Sequence, residues 1–175
     1  MKSWDVIVIG SGAGGFAAAV TACCKGLSVL MLEKAPQFGG TSAISGGAVW
    51  INDTDQARAQ GKSGTADAIK TYLKTIIGEQ NYRPDIVDAF VASGREALAF
   101  LEKEGAVKYS LRSLSPDYYP DEPGAVDCGR ALEVVEYDGR QLGDRFRDLR
   151  APPPGMLLFG GMMVNRVDIQ HFLDM

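Results

Sequence analysis

The sequence has few of the residues that build metal sites and disulfide frameworks. It holds three cysteines and one histidine in 175 residues. Cys23, Cys24 and Cys128 are too few and too oddly spaced for a disulfide framework or a zinc site, and a single histidine excludes a histidine-rich metal site. We therefore expect no bound metal. We also expect reduced thiols, as in a cytoplasmic protein, with Cys23 and Cys24 as small residues near the packing face of a helix.

Long hydrophobic runs and a strong excess of one charge are also missing. The apolar run near the N-terminus has about five residues before a glycine turn, which is too short for a signal peptide or a membrane span, and no later run is long enough. The formal net charge is −4, without a long basic stretch. These features argue against nucleic acid or an anionic membrane as the main partner and favour a small-molecule substrate. They leave the oligomeric state open.

What the sequence does have is a tight strand–helix–strand pattern at its start. Asp5–Ile9 has the short, β-branched composition of a buried strand, and Leu27–Leu32 predicts a second buried strand. Between them, Ala13–Lys25 predicts a helix that ends at Gly26. A helix that connects two strands through such short turns indicates that the strands are parallel, so the expected fold class is α/β.

The turn in "VIVIGSGAGGFAAAV" fits the G-x-G-x-x-G pattern of dinucleotide-binding proteins, placed after a strand and opening a helix. Gly10 would allow the sharp turn, Gly12 the approach of a pyrophosphate, and Gly15 close packing of helix on strand. Glu33 follows the second strand at about the 20-residue spacing expected of a carboxylate that binds a ribose. A carboxylate there disfavours the extra phosphate of NADP.

A second glycine-rich stretch, "APQFGGTSAISGG" from residue 35 to 47, follows directly. A loop this long without its own helix or strand is typically functional. Its bare backbone and hydroxyls would suit close contact with a pyrophosphate and the edge of a flavin, which favours FAD over NAD.

The remaining elements are predicted from periodicity and turn residues. Helices are expected over Thr65–Ile77 and from Pro84 to about Glu104, stopped by Gly105. Strands are expected over Val107–Leu111 and Leu132–Tyr137, with a loop at 112–130 between them. After the stiff "APPPG" connector, a last helix would begin at Asn165 or Asp168 and include His171.

The two glycine-rich stretches resemble the FAD-binding start of the fumarate reductase/succinate dehydrogenase flavoprotein superfamily. "PDYYPDEPGA" with the following Gly129-Arg130 is similar to the active-site loop of its 3-ketosteroid dehydrogenase branch. The resemblance implies a Rossmann-like FAD-binding domain with a parallel sheet, incomplete here, plus helical and loop insertions. It implies that the pyrophosphate, the adenosine and the flavin are held by Gly10, Gly12, Ala13, Gly14, Gly15, Glu33, Lys34, Ala35, Gly40, Thr41, Ser42, Gly46 and Gly47.

The same resemblance implies a role for one tyrosine. In the steroid branch, a tyrosine of the D-Y-x-P loop assists the base that removes a proton next to the hydride-donating carbon. The matching position is Tyr118, with Tyr119 as a less favoured candidate. Hydrogen bonding and nearby charge can lower the pKa of a phenol enough for such a role.

No third parallel strand is evident after Leu32, and the resembled proteins are much longer. We therefore expect an N-terminal part of a larger flavoenzyme. Residues 1–150 would be the start of the FAD-binding domain, with a βαβ unit at 4–34, a flavin loop at 35–52 and a helical insert at 54–105. Residues 151–175 would be a connector and the start of a following segment.

The expected reaction of the whole enzyme is α,β-dehydrogenation of a 3-ketosteroid or related ketone. Two alternatives stay open at this point. One is a fumarate reductase-like reduction of an activated alkene, and the other is a non-catalytic nucleotide-binding module. The isolated 175 residues would be inactive if half of the flavin site is open to water.

Overall fold

The computed structural model describes residues 2–156, 169–170 and 173–174, and it divides into two compact units. Unit 1 contains Met1–Gly47 and Glu136–Met175, and unit 2 contains Ala48–Val135. His171 and most of the predicted C-terminal helix lie outside the described residues. In the part of the chain that is described, no helix is both long and apolar enough to cross a membrane.

Unit 1 begins with the predicted strand–helix–strand arrangement. Strands β1 (Val6–Ile9) and β2 (Val29–Leu32) pair in parallel, with Val6 opposite Val29 and Ile9 opposite Leu32. Helix α1 (Ala13–Cys24) connects them. Its small side chains let it pack close to both strands. The predicted parallel pair is therefore confirmed.

The prediction that both strands are fully buried is wrong. Val8 is 8% exposed, but Ile7 is 59% and Ile9 86% exposed, and Leu32 at the end of β2 is 48% exposed. A continuous aliphatic run predicts a strand with both faces buried. Among the described residues of unit 1, helix α1 packs against one face of the two strands. The prediction for the two vicinal cysteines is also wrong, because Cys23 and Cys24 are exposed at the end of α1.

The second glycine-rich stretch crosses unit 1 as a loop with one short 3₁₀ turn, Ser42–Ile44. Phe38 pairs with Leu149 in an isolated parallel bridge, and its ring meets that of Phe16 edge to face at 6.1 Å. A 3₁₀ segment over Gly139–Asp148, kinked at Gly143, precedes that bridge. The loop after β2 is therefore held at its start by the C-terminal part of the same unit.

Unit 2 combines three helices with an antiparallel sheet. Strands β3 (Val49–Trp50), β4 (Tyr109–Leu111) and β5 (Ala131–Val134) pair in the order β3-β5-β4. The fold of the whole chain is thus mixed helix and sheet, with one parallel and one antiparallel sheet. The predicted strands at 107–111 and 132–137 correspond to β4 and β5.

The helices of unit 2 are α2 (Asp55–Ala59), α3 (Ala66–Ile77) and α4 (Pro84–Lys103). Thr65 caps α3 by accepting a hydrogen bond from the N–H of Ala68, and Pro84 occupies the first turn of α4 as predicted. The core of this unit is formed by Ala57, Ile69, Tyr72, Val87, Leu98 and Leu132.

Candidate functional site

The start of α1 presents backbone N–H groups at the end of β1. Gly10 turns the chain at a φ of +95°, a conformation that favours glycine. Gly12 is the N-cap residue, and because it has no side chain it provides no capping hydrogen bond. The first turn carries no acidic residue either. Apart from the N–H of Ala13, which is donated to Ser42 Oγ, the positive end of the helix dipole is therefore available to a phosphate group.

The glycines of this turn differ in what their missing side chains make possible. A Cβ at Gly15 would lie 2.0 Å from the carbonyl oxygen of Gly10, so Gly15 is required by the packing of α1 against the turn. A Cβ at Gly12 would meet nothing nearer than Ser42 Oγ at 4.0 Å, and one at Gly14 would meet nothing within 4 Å. Internal packing therefore does not require glycine at positions 12 and 14, whereas close approach of a ligand to the backbone would.

Glu33 follows β2 and is held by three hydrogen bonds. Its Oε2 accepts from the backbone N–H of Ser11 at 3.0 Å and from the Ser11 hydroxyl, and its Oε1 accepts from the N–H of Ala35 at 2.9 Å. The bond from Ala35, followed by the bonds from Ser11, lowers the pKa of Glu33 to about 2. The side chain is therefore a fixed carboxylate at neutral pH, ready to accept hydrogen bonds from hydroxyl groups.

The second glycine loop contacts the first. Gly39 donates its N–H to Ser11 Oγ at 2.9 Å, and Ala13 donates its N–H to Ser42 Oγ at 3.0 Å. A Cβ at Gly40 would lie 3.2 Å from Gly12 Cα. Unit 1 thus brings together the glycine turn, the carboxylate and the start of the second loop, as the sequence predicted.

Other predicted site residues of unit 1 are placed less closely. Lys34, Thr41 and Gly46 are exposed, and Gly47 donates its N–H to Ser45 Oγ at 3.1 Å. Gly46 and Gly47 continue along the same loop beyond Ser42, whereas Lys34 and Thr41 precede it. Their contact with a cofactor stays a prediction.

The donor set of unit 1 fits FAD. A bare glycine backbone at a helix N-terminus suits a pyrophosphate, and an ionised carboxylate after the second strand suits a ribose. If FAD is bound in this way, the residues that hold it are the glycine turn, Glu33 and the loop from Gly40 to Gly47.

Tyr118 belongs to unit 2 and lies in the loop between β4 and β5. Its side chain is 97% exposed, and Tyr119 beside it is 58% exposed. The residue before them, Asp117, is buried and forms an ion pair with the buried Arg130, with Arg130 Nη1 2.6 Å from Asp117 Oδ2. The loop thus combines a buried ion pair, Asp117–Arg130, with the exposed phenol of Tyr118.

Sequence reasoning missed Ser11, Asp117 and Arg130 as structural parts of these sites. Ser11 occupies a variable position of the glycine pattern, and a hydroxyl-bearing residue between Gly10 and Gly12 is the one signal that the sequence offers for it. Asp117 and Arg130 are separated by 13 positions in a loop. The only signal for the pair was an aspartate and an arginine at the two ends of a stretch rich in proline and tyrosine.

Comparison with known proteins identifies the domain. The family described as "FAD binding domain" matches residues 5–172. A 3-oxosteroid 1-dehydrogenase of Mycobacterium tuberculosis is 40% identical over 143 residues, which are 82% of this chain and 25% of that protein. A 4-oxocyclohexanecarboxylate 2-dehydrogenase of Sinomonas cyclohexanicum is 44% identical over 157 residues, which are 86% of this chain and 27% of that protein.

Among solved structures, 3-ketosteroid Δ1-dehydrogenase from Sterolibacterium denitrificans, in complex with 1,4-androstadiene-3,17-dione, superposes with a TM-score of 0.84 at 36% identity. It matches 99% of this chain, which covers 30% of that structure. More distantly, an NADH:fumarate oxidoreductase of Klebsiella pneumoniae is 33% identical over 105 residues, which are 59% of this chain and 11% of that protein.

The chain spans between a quarter and a third of the length of the dehydrogenases that it matches. The family match, by contrast, extends over nearly all of it. It includes both glycine-rich stretches, Glu33 and the tyrosine loop. The chain therefore belongs to the FAD binding domain family, and its cofactor is FAD.

Proposed function

We propose that this chain is the N-terminal FAD-binding part of a dehydrogenase that introduces a double bond next to the carbonyl of a 3-oxosteroid or a smaller cyclic ketone. The likeness to dehydrogenases of both ketone classes at 40–44% identity supports this class of substrate. The observation that carries the proposal is the exposed Tyr118 in a loop whose sequence resembles the active-site loop of the steroid branch. A fumarate reductase-like activity is the weaker candidate, because its relative matches less of the chain.

The proposal assigns the domain layout as expected from the sequence. Residues 1–150 would form the first part of a Rossmann-like FAD-binding domain, in which the parallel β1–α1–β2 arrangement at 4–34 is the nucleotide-binding unit. The flavin loop at 35–52 and the helical insert at 54–105 follow it, and 151–175 leads into a further segment. A cytoplasmic location stays a prediction.

Within this layout, the residues of unit 1 would bind and orient the cofactor. Gly10, Gly12, Ala13, Gly14 and Gly15 would hold the pyrophosphate at the N-terminus of α1, where the helix dipole favours its charge. Glu33 would accept hydrogen bonds from the adenosine ribose, and Lys34 and Ala35 would lie on the adenine side. Gly40, Thr41, Ser42, Gly46 and Gly47 would line the pyrophosphate and the flavin.

FAD supplies the redox chemistry of such a reaction as the acceptor of a hydride from the substrate. The contribution of this chain would be proton transfer at the neighbouring carbon. There the phenol oxygen of Tyr118 would assist removal of the proton. Because the side chain is almost fully exposed, no internal packing of unit 2 has to break for it to meet a substrate.

The test is turnover of 4-androstene-3,17-dione by the FAD-loaded full-length protein, of which this chain is the proposed N-terminal part, with an artificial dye as electron acceptor. We expect 1,4-androstadiene-3,17-dione as the product. Tyr118→Phe should lower kcat by about a hundredfold or more, the usual contribution of general acid–base catalysis. Tyr137→Phe is the control, since Tyr137 is an exposed tyrosine of unit 1, outside the loop that carries Tyr118.

The same assay separates the alternatives. Turnover of 4-oxocyclohexanecarboxylate without turnover of the steroid would place the substrate in the smaller class. Reduction of fumarate by the reduced holoprotein, with neither ketone accepted, would contradict the dehydrogenase proposal. Binding of FAD without any turnover would indicate a non-catalytic nucleotide-binding module.

A further inference from the structure

The loop that carries Tyr118 is hydrogen-bonded to a buried charged cluster in unit 2. Asp117 Oδ1 accepts a hydrogen bond from Trp50 Nε1 at 2.8 Å, and Asp117 Oδ2 accepts from Arg130 Nη1 and from the N–H of Val126 at 3.0 Å. Both oxygens of the carboxylate are therefore used. The side chains of Asp117 and Arg130 are 1% and 2% exposed.

Arg130 is held on more than one side. Its Nη2 donates to the carbonyl of Gly124 at 2.8 Å, while its Nη1 reaches Asp117 in the amino-terminal half of the loop, so the guanidinium joins the two halves. Its guanidinium carbon lies 5.4 Å from the ring centre of Trp50 and 5.5 Å from that of Tyr72. Burial lowers the pKa of Arg130, and the charge of Asp117 opposes this effect.

The backbone on both sides of Tyr118 is tied to this cluster. The N–H of Asp117 donates to the carbonyl of Val126 at 3.0 Å, and the N–H of Tyr119 donates to the hydroxyl of Tyr72 at 3.3 Å. Tyr118 is thus flanked by two anchored residues while its own side chain is 97% exposed. The ring of Tyr72 packs at 6.1 Å from that of Trp50, within the buried core.

We propose that Trp50, Tyr72, Asp117 and Arg130 are positioning residues that form a clamp, which holds the backbone at Tyr118 in one conformation and presents its phenol to a substrate. The catalytic part of this proposal rests on the proposed function of Tyr118, whereas the mechanical part does not. A buried ion pair is weak evidence for stability, because desolvation offsets much of its attraction. The hydrogen bonds that occupy both carboxylate oxygens of Asp117 and both Nη atoms of Arg130 instead suit a role in fixing one geometry, although Arg130 Nε has no hydrogen-bond partner among the described residues.

The clamp can be tested at one peptide bond. Chymotrypsin can cut after Tyr118, whereas the bond after Tyr119 is protected because Pro120 follows it. Cutting at 118–119 requires the anchored backbone to open, so its rate reports the population of the open loop. The rate is measured on the FAD-loaded holoprotein by mass spectrometry of the fragments.

Tyr72→Phe is the decisive variant, because it removes the hydroxyl that accepts from Tyr119 and keeps the ring in the core. We expect cutting at 118–119 to become about fivefold faster, the effect of one neutral hydrogen bond. Tyr82→Phe, which removes a half-buried hydroxyl elsewhere in unit 2, should leave the rate unchanged. Equal rates for Tyr72→Phe and the unsubstituted protein would overturn the clamp.

Asp117→Asn gives a second and larger perturbation. The amide can turn its oxygen toward Arg130 and Val126 or toward Trp50 but not toward both sides, so its NH2 group faces at least one of these donors. It also leaves the charge of Arg130 without its buried partner, which is strongly destabilising. We expect cutting to be more than about a hundredfold faster. Asp127→Asn, in the exposed part of the same loop, is its control and should cut at the original rate.

Steady-state kinetics with 4-androstene-3,17-dione separate the two levels of the proposal. The open fraction of the loop is the rate of cutting divided by the rate for an unstructured peptide of the same sequence. If the clamp positions Tyr118 for proton transfer, kcat falls in proportion to the remaining closed fraction, with KM nearly unchanged, so the fall is expected in Asp117→Asn and not in Tyr72→Phe. A largely open loop in Asp117→Asn with an unchanged kcat would support the clamp and contradict the role of Tyr118. An unchanged rate of cutting would contradict the clamp whatever the kinetics show.

Discussion

Replacement of Ser11 by alanine should destabilise unit 1 far more than the loss of one surface hydroxyl would. Ser11 is 1% exposed, and its hydroxyl serves two partners at once. It donates to Glu33 Oε2 and accepts from the N–H of Gly39 at 2.9 Å. The alanine variant leaves that buried N–H without a partner, which costs about 1–3 kcal/mol.

The chain offers an unusually close control for this substitution. Ser28 gives its N–H and its hydroxyl to Asp5 Oδ2 in the same way that Ser11 gives both to Glu33, at 2.8 and 2.6 Å. The Ser28 pair is exposed, so water replaces the lost bond. Ser28→Ala should therefore shift the unfolding midpoint only slightly.

The assay is urea unfolding of the apoprotein, prepared by removing FAD. In a separate experiment, each folded variant is titrated with FAD. We expect Ser11→Ala to lower the free energy of unfolding by about 1–3 kcal/mol. It should also raise the pKa of Glu33 from about 2 toward its ordinary value of 4.5, because the Ser11 hydroxyl is one of the causes of the shift. Equal effects of Ser11→Ala and Ser28→Ala would refute the view that the Ser11 hydroxyl joins the two glycine loops.

Two further predictions concern the same unit. Gly15→Ala should prevent stable packing of α1, because its Cβ would lie 2.0 Å from a backbone oxygen. Gly12→Ala should leave the unfolding midpoint unchanged and weaken FAD binding. Circular dichroism measures the unfolding of each variant, and titration with FAD measures its binding. The lowered pKa of Glu33 stabilises the fold at any pH above about 4.5 and is lost as the pH falls toward about 2. The stability difference between the unsubstituted protein and Glu33→Gln should thus be constant from pH 8 to 5 and shrink below that range, as urea midpoints at each pH would show.

Local sequence signals predicted the elements whose causes are local. The glycine turn, the helix after it and the second strand follow from spacing alone, and so does the start of α4 at Pro84. Strand β3 was missed because two residues, Val49–Trp50, are too few for any periodicity. Helix α2, with five residues, is equally short, and the cap that begins it is the fully buried Thr54.

Contacts between distant positions were beyond the reach of these signals. Phe38 and Leu149 pair across more than a hundred residues, and Asp117 meets Arg130 only because the loop folds back on itself. The burial of β1 was predicted wrongly for a related reason. An aliphatic run predicts that a strand is buried, but which of its faces is buried depends on the helices and strands that pack against it from other parts of the chain.

The glycine turn shows how one motif combines two kinds of constraint. The geometry of unit 1 itself explains Gly10, through a positive φ, and Gly15, through a contact with Gly10. It does not explain Gly12, whose φ of −73° suits any residue and whose side-chain space is empty. A constraint that the protein does not impose on itself must come from what it binds, and a pyrophosphate at the helix N-terminus supplies it. Gly12 is therefore the position where a substitution separates binding of FAD from folding of the domain.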